Sequence, residues 1–118
     1  MSAIGKIVWF EVPVENTDRA RTFYGRLMGW QFETFDGAAD YFLTHEGGGA
    51  IHPANGRKGP LVYFGTDDID ASVALVRELR GSANEPREVP GIGRHAECSD
   101  PEGNAFGFYR VADSIVAA

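Results

Sequence analysis

Two short stretches place a ring two residues before a carboxylate: Trp9-Phe10-Glu11 and His95-Ala96-Glu97. In an extended chain residues two apart share a face, so each pair would project together from one side of a strand. An aromatic wall beside a carboxylate suits stacking against, and orienting, a flat organic molecule. The same groups could run general acid–base chemistry, with Glu11, His95 or Glu97 as the candidate catalytic residue. A third stretch, Gly107-Phe108-Tyr109, sets a glycine in mid-strand beside a tyrosine. An interior strand glycine marks either an irregularity or a place where something approaches closely. At Gly107 both readings stay open: a bulge, or room left for a close approach. His52 is a further imidazole that joins these groups if its short strand points the same way.

The elements that must hold these residues follow from periodicity. In the first strand Val8, Phe10 and Val12 share one face, and Ile7, Trp9 and Glu11 the other. Asn16-Thr17-Asp18 is a helix start, Ala20, Phe23, Tyr24 and Leu27 follow at helical spacing, and Gly29 ends the helix. Short strands are expected over 30–34, 41–44 and 50–52. The pattern then begins again. Val62-Tyr63-Phe64 repeats Val8-Trp9-Phe10, and Asp70, Leu75, Leu79 and Gly81 echo Asp18, Phe23, Leu27 and Gly29. A weak strand over 84–89, a strand over 93–99, the turn Asp100-Pro101-Glu102-Gly103 and a strand over 104–110 complete the second half. Alternation assigns Val62/Phe64, Ala96/Cys98 and Phe106/Phe108 to the helix side. It assigns Leu61/Tyr63, His95/Glu97 and Ala105/Gly107/Tyr109 to the opposite face. Arg57 and Lys58 read as a solvated linker between the halves, and 87–93 as a mobile flap.

A duplicated strand–helix–three-strand unit, with FYGRLMGW closing the first helix and SDPEGNAFGFY near the end, resembles the vicinal oxygen chelate superfamily. That is the glyoxalase, bleomycin-resistance and extradiol-dioxygenase fold. The resemblance implies an α+β fold of two tandem βαβββ units, whose curved mixed sheet surrounds a cavity. It implies one domain over 1–118, with unit one about 4–55 and unit two about 60–110, and it implies a homodimer. Metal-dependent members hold a divalent ion with His, Gln or Glu on the first and last strands of each unit, leaving positions open for substrate. The matching positions here are Trp9, Leu61 and Gly107, with a fourth near Ala50 to His52. Tryptophan, leucine and glycine offer no side-chain donor, so no metal and no other cofactor is expected. Should a displaced divalent metal exist, its fallback ligands are His52, His95, Glu97 and Glu11.

Composition narrows the partners. A net charge of −6 with no run of Lys or Arg argues against nucleic acid or an anionic membrane. The opening MSAIGKIVWFEV lacks the pattern of a signal peptide, and a single cysteine, Cys98, suits a reducing compartment, so a cytoplasmic protein is expected. The function expected is that of a small-molecule-binding glyoxalase-like protein. Its ligand site would draw on Trp9, Glu11, Tyr63, His95, Glu97, Gly107 and Tyr109. The alternative is an enzyme of the lyase, isomerase or dioxygenase kind, using a non-standard metal site or Glu11 as base. A solvated polar cup with neither role stays open beside both.

Overall fold

Asn16 and Asp68 start the two helices, each in extended backbone and each accepting a backbone N–H three residues on through its side chain. This is the N-cap arrangement that satisfies one of the orphan donors of a first turn. The computed structural model describes residues 5–35, 38–44, 48–89 and 93–111. Its elements are β1 (Ile7–Val14), α1 (Thr17–Met28), β2 (Phe32–Phe35), β3 (Ala38–Thr44), β4 (Gly49–Pro53), β5 (Leu61–Gly65), α2 (Ile69–Glu78), β6 (Ser82–Ala83), β7 (Arg87–Val89), β8 (Gly93–Ser99) and β9 (Ala105–Val111). No helix among the described residues is long and apolar enough to cross a membrane.

The chain divides into two compact units, Trp9–Leu61 and Met1–Val8 with Val62–Ala118. In the first, β1 runs parallel to β4, β4 is antiparallel to β3, and β3 is antiparallel to β2. In the second, β5 runs parallel to β9, β9 is antiparallel to β8, and β8 carries β6 and β7. Each unit is therefore a strand, a helix and a set of strands whose last member returns parallel to the first. The α+β class with parallel and antiparallel pairing is the one the duplicated pattern points to.

In the first unit α1 ends at Gly29, whose positive φ of 74° lets its N–H reach back to the Gly25 carbonyl. The chain then turns Trp30 onto the sheet, where it stacks on Tyr24 at 5.4 Å and meets Phe10 at 5.7 Å. Trp30 is thus a packing residue after the cap, and the strand starts at Phe32 rather than at 30. On the same side the Arg21 guanidinium lies 3.9 Å from the Phe42 ring centre. In the second unit Ile69 and Val73 of α2 pack on Ala96 and Cys98, with Val76, Phe106 and Phe108 around them. Burial pushes the Cys98 thiol pKa up, so this cysteine is a small core residue and not a reactive one.

Two expectations change. Phe23, Leu27, Leu75 and Leu79 sit at helical spacing yet point outward, between 50% and 64% exposed. Tyr24 of α1, and Val73 and Val76 of α2, take the inward positions instead. Of the stretch 87–93 read as a flap, residues 87–89 form a strand, and 90–92 lie outside the described residues. Arg87, Glu88 and Val89 pair with His95, Arg94 and Gly93 as a short edge strand.

Both parallel pairs contain a glycine under an aromatic ring of its register partner. Gly49 faces Phe10 in the first unit, and Gly107 faces Tyr63 in the second. A Cβ at position 107 would lie 2.5 Å from the Tyr63 ring and 3.1 Å from the Ala96 carbonyl oxygen. The space left by the missing side chain is filled by the Tyr63 ring. Close approach explains the glycine.

Candidate functional site

The face of β1, β4 and β3 turned away from α1 carries a cluster of four side chains, Trp9, Glu11, Tyr41 and His52. Register puts Glu11 beside Ala50 and Pro13 beside His52, while Leu43 lies beside Ala50. Trp9, Glu11, His52 and Tyr41 therefore share one face by simple alternation. The Trp9 indole Nε1 donates to the Tyr41 hydroxyl at 3.2 Å, and that hydroxyl donates to Glu11 Oε2 at 2.7 Å. The other Glu11 oxygen, Oε1, lies 3.5 Å from His52 Nε2 and 3.9 Å from Arg57 Nη1. The rings of Tyr41 and His52 stack at 5.6 Å with planes 19° apart, and Phe35 meets Tyr41 edge-on. Glu11 is the hub of this cluster.

The tautomer of His52 follows from its other nitrogen. Nδ1 lies 2.8 Å from the Pro53 carbonyl, which can only accept, so Nδ1 carries a proton. In a neutral ring Nε2 would then present a lone pair to the Glu11 carboxylate. Protonating it replaces that repulsion by attraction. The Glu11 carboxylate, as hydrogen-bond acceptor and as charge, accordingly raises the His52 pKa above its ordinary 6.5, with the Pro53 carbonyl assisting. Burial and the Arg57 charge act against the rise without cancelling it.

A raised pKa in the fold stabilises it fully below the unfolded value of 6.5, and that contribution is lost as the pH climbs through the higher folded value. The stability difference between the wild type and His52→Gln is expected to be larger near about pH 6 than near about pH 9. Urea titrations at both pH values measure it. A difference that does not change with pH would mean that His52 stays neutral in place.

Tyr41 and Arg57 escaped the sequence. The strand over 41–44 is legible, but only its register against β4 brings Tyr41 above His52. Arg57, read as a linker residue, is returned to β4 by a tight turn. Asn55 and Gly56 adopt φ of 49° and 86°, and the Arg57 N–H bonds to the Ala54 carbonyl at 2.9 Å. This is the Asn-Gly turn chemistry in which both central residues take positive φ.

The remaining candidates lie in the second unit. Tyr63 is 3% exposed, its ring spent on Gly107 and on an edge contact with His95 at 6.2 Å. It packs the sheet and offers no open wall. His95 and Glu97 stand in register with Tyr109 and Gly107. His95 Nδ1 is buried and has no hydrogen-bond partner among the described residues. Burial raises the Tyr109 pKa. Between the end of β6 and the start of β7 the edge of β8 opens into a cavity of about 200 Å³, lined by Asn84, Glu85, Arg87, His95, Ala96 and Glu97.

Trp9, Leu61 and Gly107, at the positions that match the family's ligands, carry no side chain able to ligate a metal, while His52 turns Nδ1 to a backbone carbonyl and Nε2 toward Glu11. Glu11 and His52 stand together in one unit, and His95 and Glu97 belong to the other. Among the described residues no group of three His, Cys, Asp or Glu side chains converges.

Comparisons with known proteins agree on the scaffold. A family model described as bleomycin resistance protein-like N-terminal matches residues 6–41. Over 123 residues the chain is 30% identical to CFP32, a candidate glyoxylase of Mycobacterium tuberculosis, covering 92% of this chain and 45% of that one. It is 29% identical over 131 residues to the anthracycline biosynthesis protein DnrV of Streptomyces peucetius, covering 92% of this chain and 48% of that one. The chain spans about half the length of these relatives. A solved methylmalonyl-CoA epimerase of Mycobacterium tuberculosis superposes with a TM-score of 0.68, over 100% of this chain and 95% of that one. At 15% identity that likeness is one of fold.

Proposed function

Because the chain belongs to the vicinal oxygen chelate superfamily, we propose that it uses the superfamily's scaffold without its metal, to bind a planar aromatic small molecule on the Trp9–Tyr41–His52 face. One observation carries this reading. An indole, a phenol and an imidazole share a half-buried face, and a single carboxylate, Glu11, holds the cluster together. Such a face stacks on a flat ring with little loss of side-chain freedom, because its members are already positioned. The aromatic character of the ligand also agrees with a relative named for anthracycline biosynthesis. The metal-independent part rests on donor chemistry: Trp9, Leu61 and Gly107, at the positions that match the family's ligands, offer no side chain that can hold a Lewis acid. Pairing of two copies, which the family resemblance implies, belongs to the same reading.

Isothermal titration with 2-(hydroxymethyl)anthraquinone tests the reading, on protein dialysed first against nickel, zinc, manganese or iron(II) and then against buffer. Saturable binding unaffected by a chelator, and lost in Trp9→Ala, is the expected result. Near-stoichiometric retention of any of the four metals would overturn the metal-independent reading and favour the enzyme.

A further inference from the structure

Between β6 and β7 the chain leaves the edge of β8. The Asn84 N–H still bonds to the Glu97 carbonyl at 2.9 Å, and pairing resumes where Arg87 meets His95. Pro86, between them, has no N–H to give to a ladder, so the segment cannot stay paired there. The gap that results is the cavity of about 200 Å³, lined wholly by residues of the second unit. That is the space of about seven waters, or of a molecule with about as many non-hydrogen atoms.

Two donors line this space. His95 Nδ1 is buried with no hydrogen-bond partner among the described residues, and a bare lone pair costs less there than a bare N–H. A neutral ring therefore keeps its proton on Nε2, which is the polar atom it can present to the cavity and which donates in either charge state. The Arg87 guanidinium has no hydrogen-bond or ion-pair partner among the described residues. The other charged lining residues are acceptors. Glu85 gives Oε2 to Arg77 at 2.7 Å and keeps Oε1, while Glu97 can accept from a ligand in addition to the contacts it already makes. A simple carboxylate would gain Arg87 but meet two like charges, and a simple amine would gain the carboxylates but meet Arg87. A small zwitterion satisfies both. We propose that this cavity binds a small α-amino acid, its carboxylate held by Arg87 and His95 Nε2–H and its ammonium by Glu85 and Glu97. The site is independent of the aromatic-binding reading above, which concerns the first unit.

Three matched compounds test it: L-alanine, propionate, which lacks the ammonium, and ethylamine, which lacks the carboxylate. Each is titrated into the full chain at about pH 7.5, where the amines are charged, and followed by NMR. L-Alanine is expected to give saturable shifts of the His95 ring and of the backbone amides of 84, 85, 87 and 95–97. Propionate and ethylamine should bind about tenfold more weakly or worse, since each forfeits its charge-assisted hydrogen bonds. Arg87→Gln, a change at the exposed rim, should weaken L-alanine about tenfold. His95→Phe, which keeps a ring against Tyr63 and removes Nε2–H, should weaken it several-fold. No saturable shift with L-alanine up to about 50 mM would overturn the proposal. So would propionate or ethylamine binding as tightly as L-alanine, or an affinity for L-alanine that Arg87→Gln leaves unchanged.

Discussion

Replacing Gly107 by valine is expected to destabilise the second unit by about 3 kcal/mol, the upper end of the range for overpacking a filled core. The Cβ alone would meet the Tyr63 ring at 2.5 Å and the Ala96 carbonyl at 3.1 Å, and neither can yield easily. Tyr63 is 3% exposed and Ala96 2%, so relief requires moving β5 or β8 rather than swinging a side chain into water. Valine otherwise favours strands, so intrinsic propensity predicts the opposite sign. Urea denaturation of Gly107→Val decides between them. Gly107→Ala, measured alone and in a Tyr63→Val background, isolates the cause. The penalty should largely vanish when the ring is gone, and an equal penalty in both backgrounds would assign the glycine to a sheet irregularity.

Glu11→Leu is expected to cost on the order of 2 kcal/mol or more, below the 3–5 typical of fully buried pairs because its side chain is 15% exposed. The loss has three parts. The Tyr41 hydroxyl loses its 2.7 Å acceptor, His52 loses the carboxylate that favours its protonated form, and Arg57 loses a nearby counter-charge. Glu11→Gln should cost less, because its amide oxygen can still accept from Tyr41, yet it should lower the His52 pKa as Glu11→Leu does. Urea midpoints give the first quantity, and the chemical shift of the His52 ring through a pH titration gives the second. If Glu11→Leu were as stable as the wild type, the cluster would be a solvated surface and not a built site.

The helix start at Asn16, the cap at Gly29, the turn at 100–103 and the duplication that sets Asp70 against Asp18 are all legible in the chain itself. Each depends on residues within a few positions of one another, or on a periodicity that needs no partner. The same alternation placed Trp9 with Glu11, and His95 with Glu97, on shared faces. Local pattern stops short of contact, however. It could not say that Phe23, Leu27, Leu75 and Leu79 face outward, because the helix side that turns inward is chosen by the sheet beneath it.

What only the tertiary structure decided is who meets whom. Trp9 and Tyr41 are 32 residues apart, Glu11 and Tyr41 are 30 apart, and the positive-φ turn at 55–56 brings Arg57 back to Glu11. A strand's pattern specifies its faces, while its register against neighbours specifies contacts, and a shift by one residue would exchange both faces. Gly107 shows the difference in one residue. Its position in a strand was determined by alternation, but the reason for its missing side chain lies in Tyr63, which reaches it only because β5 and β9 run side by side in that register.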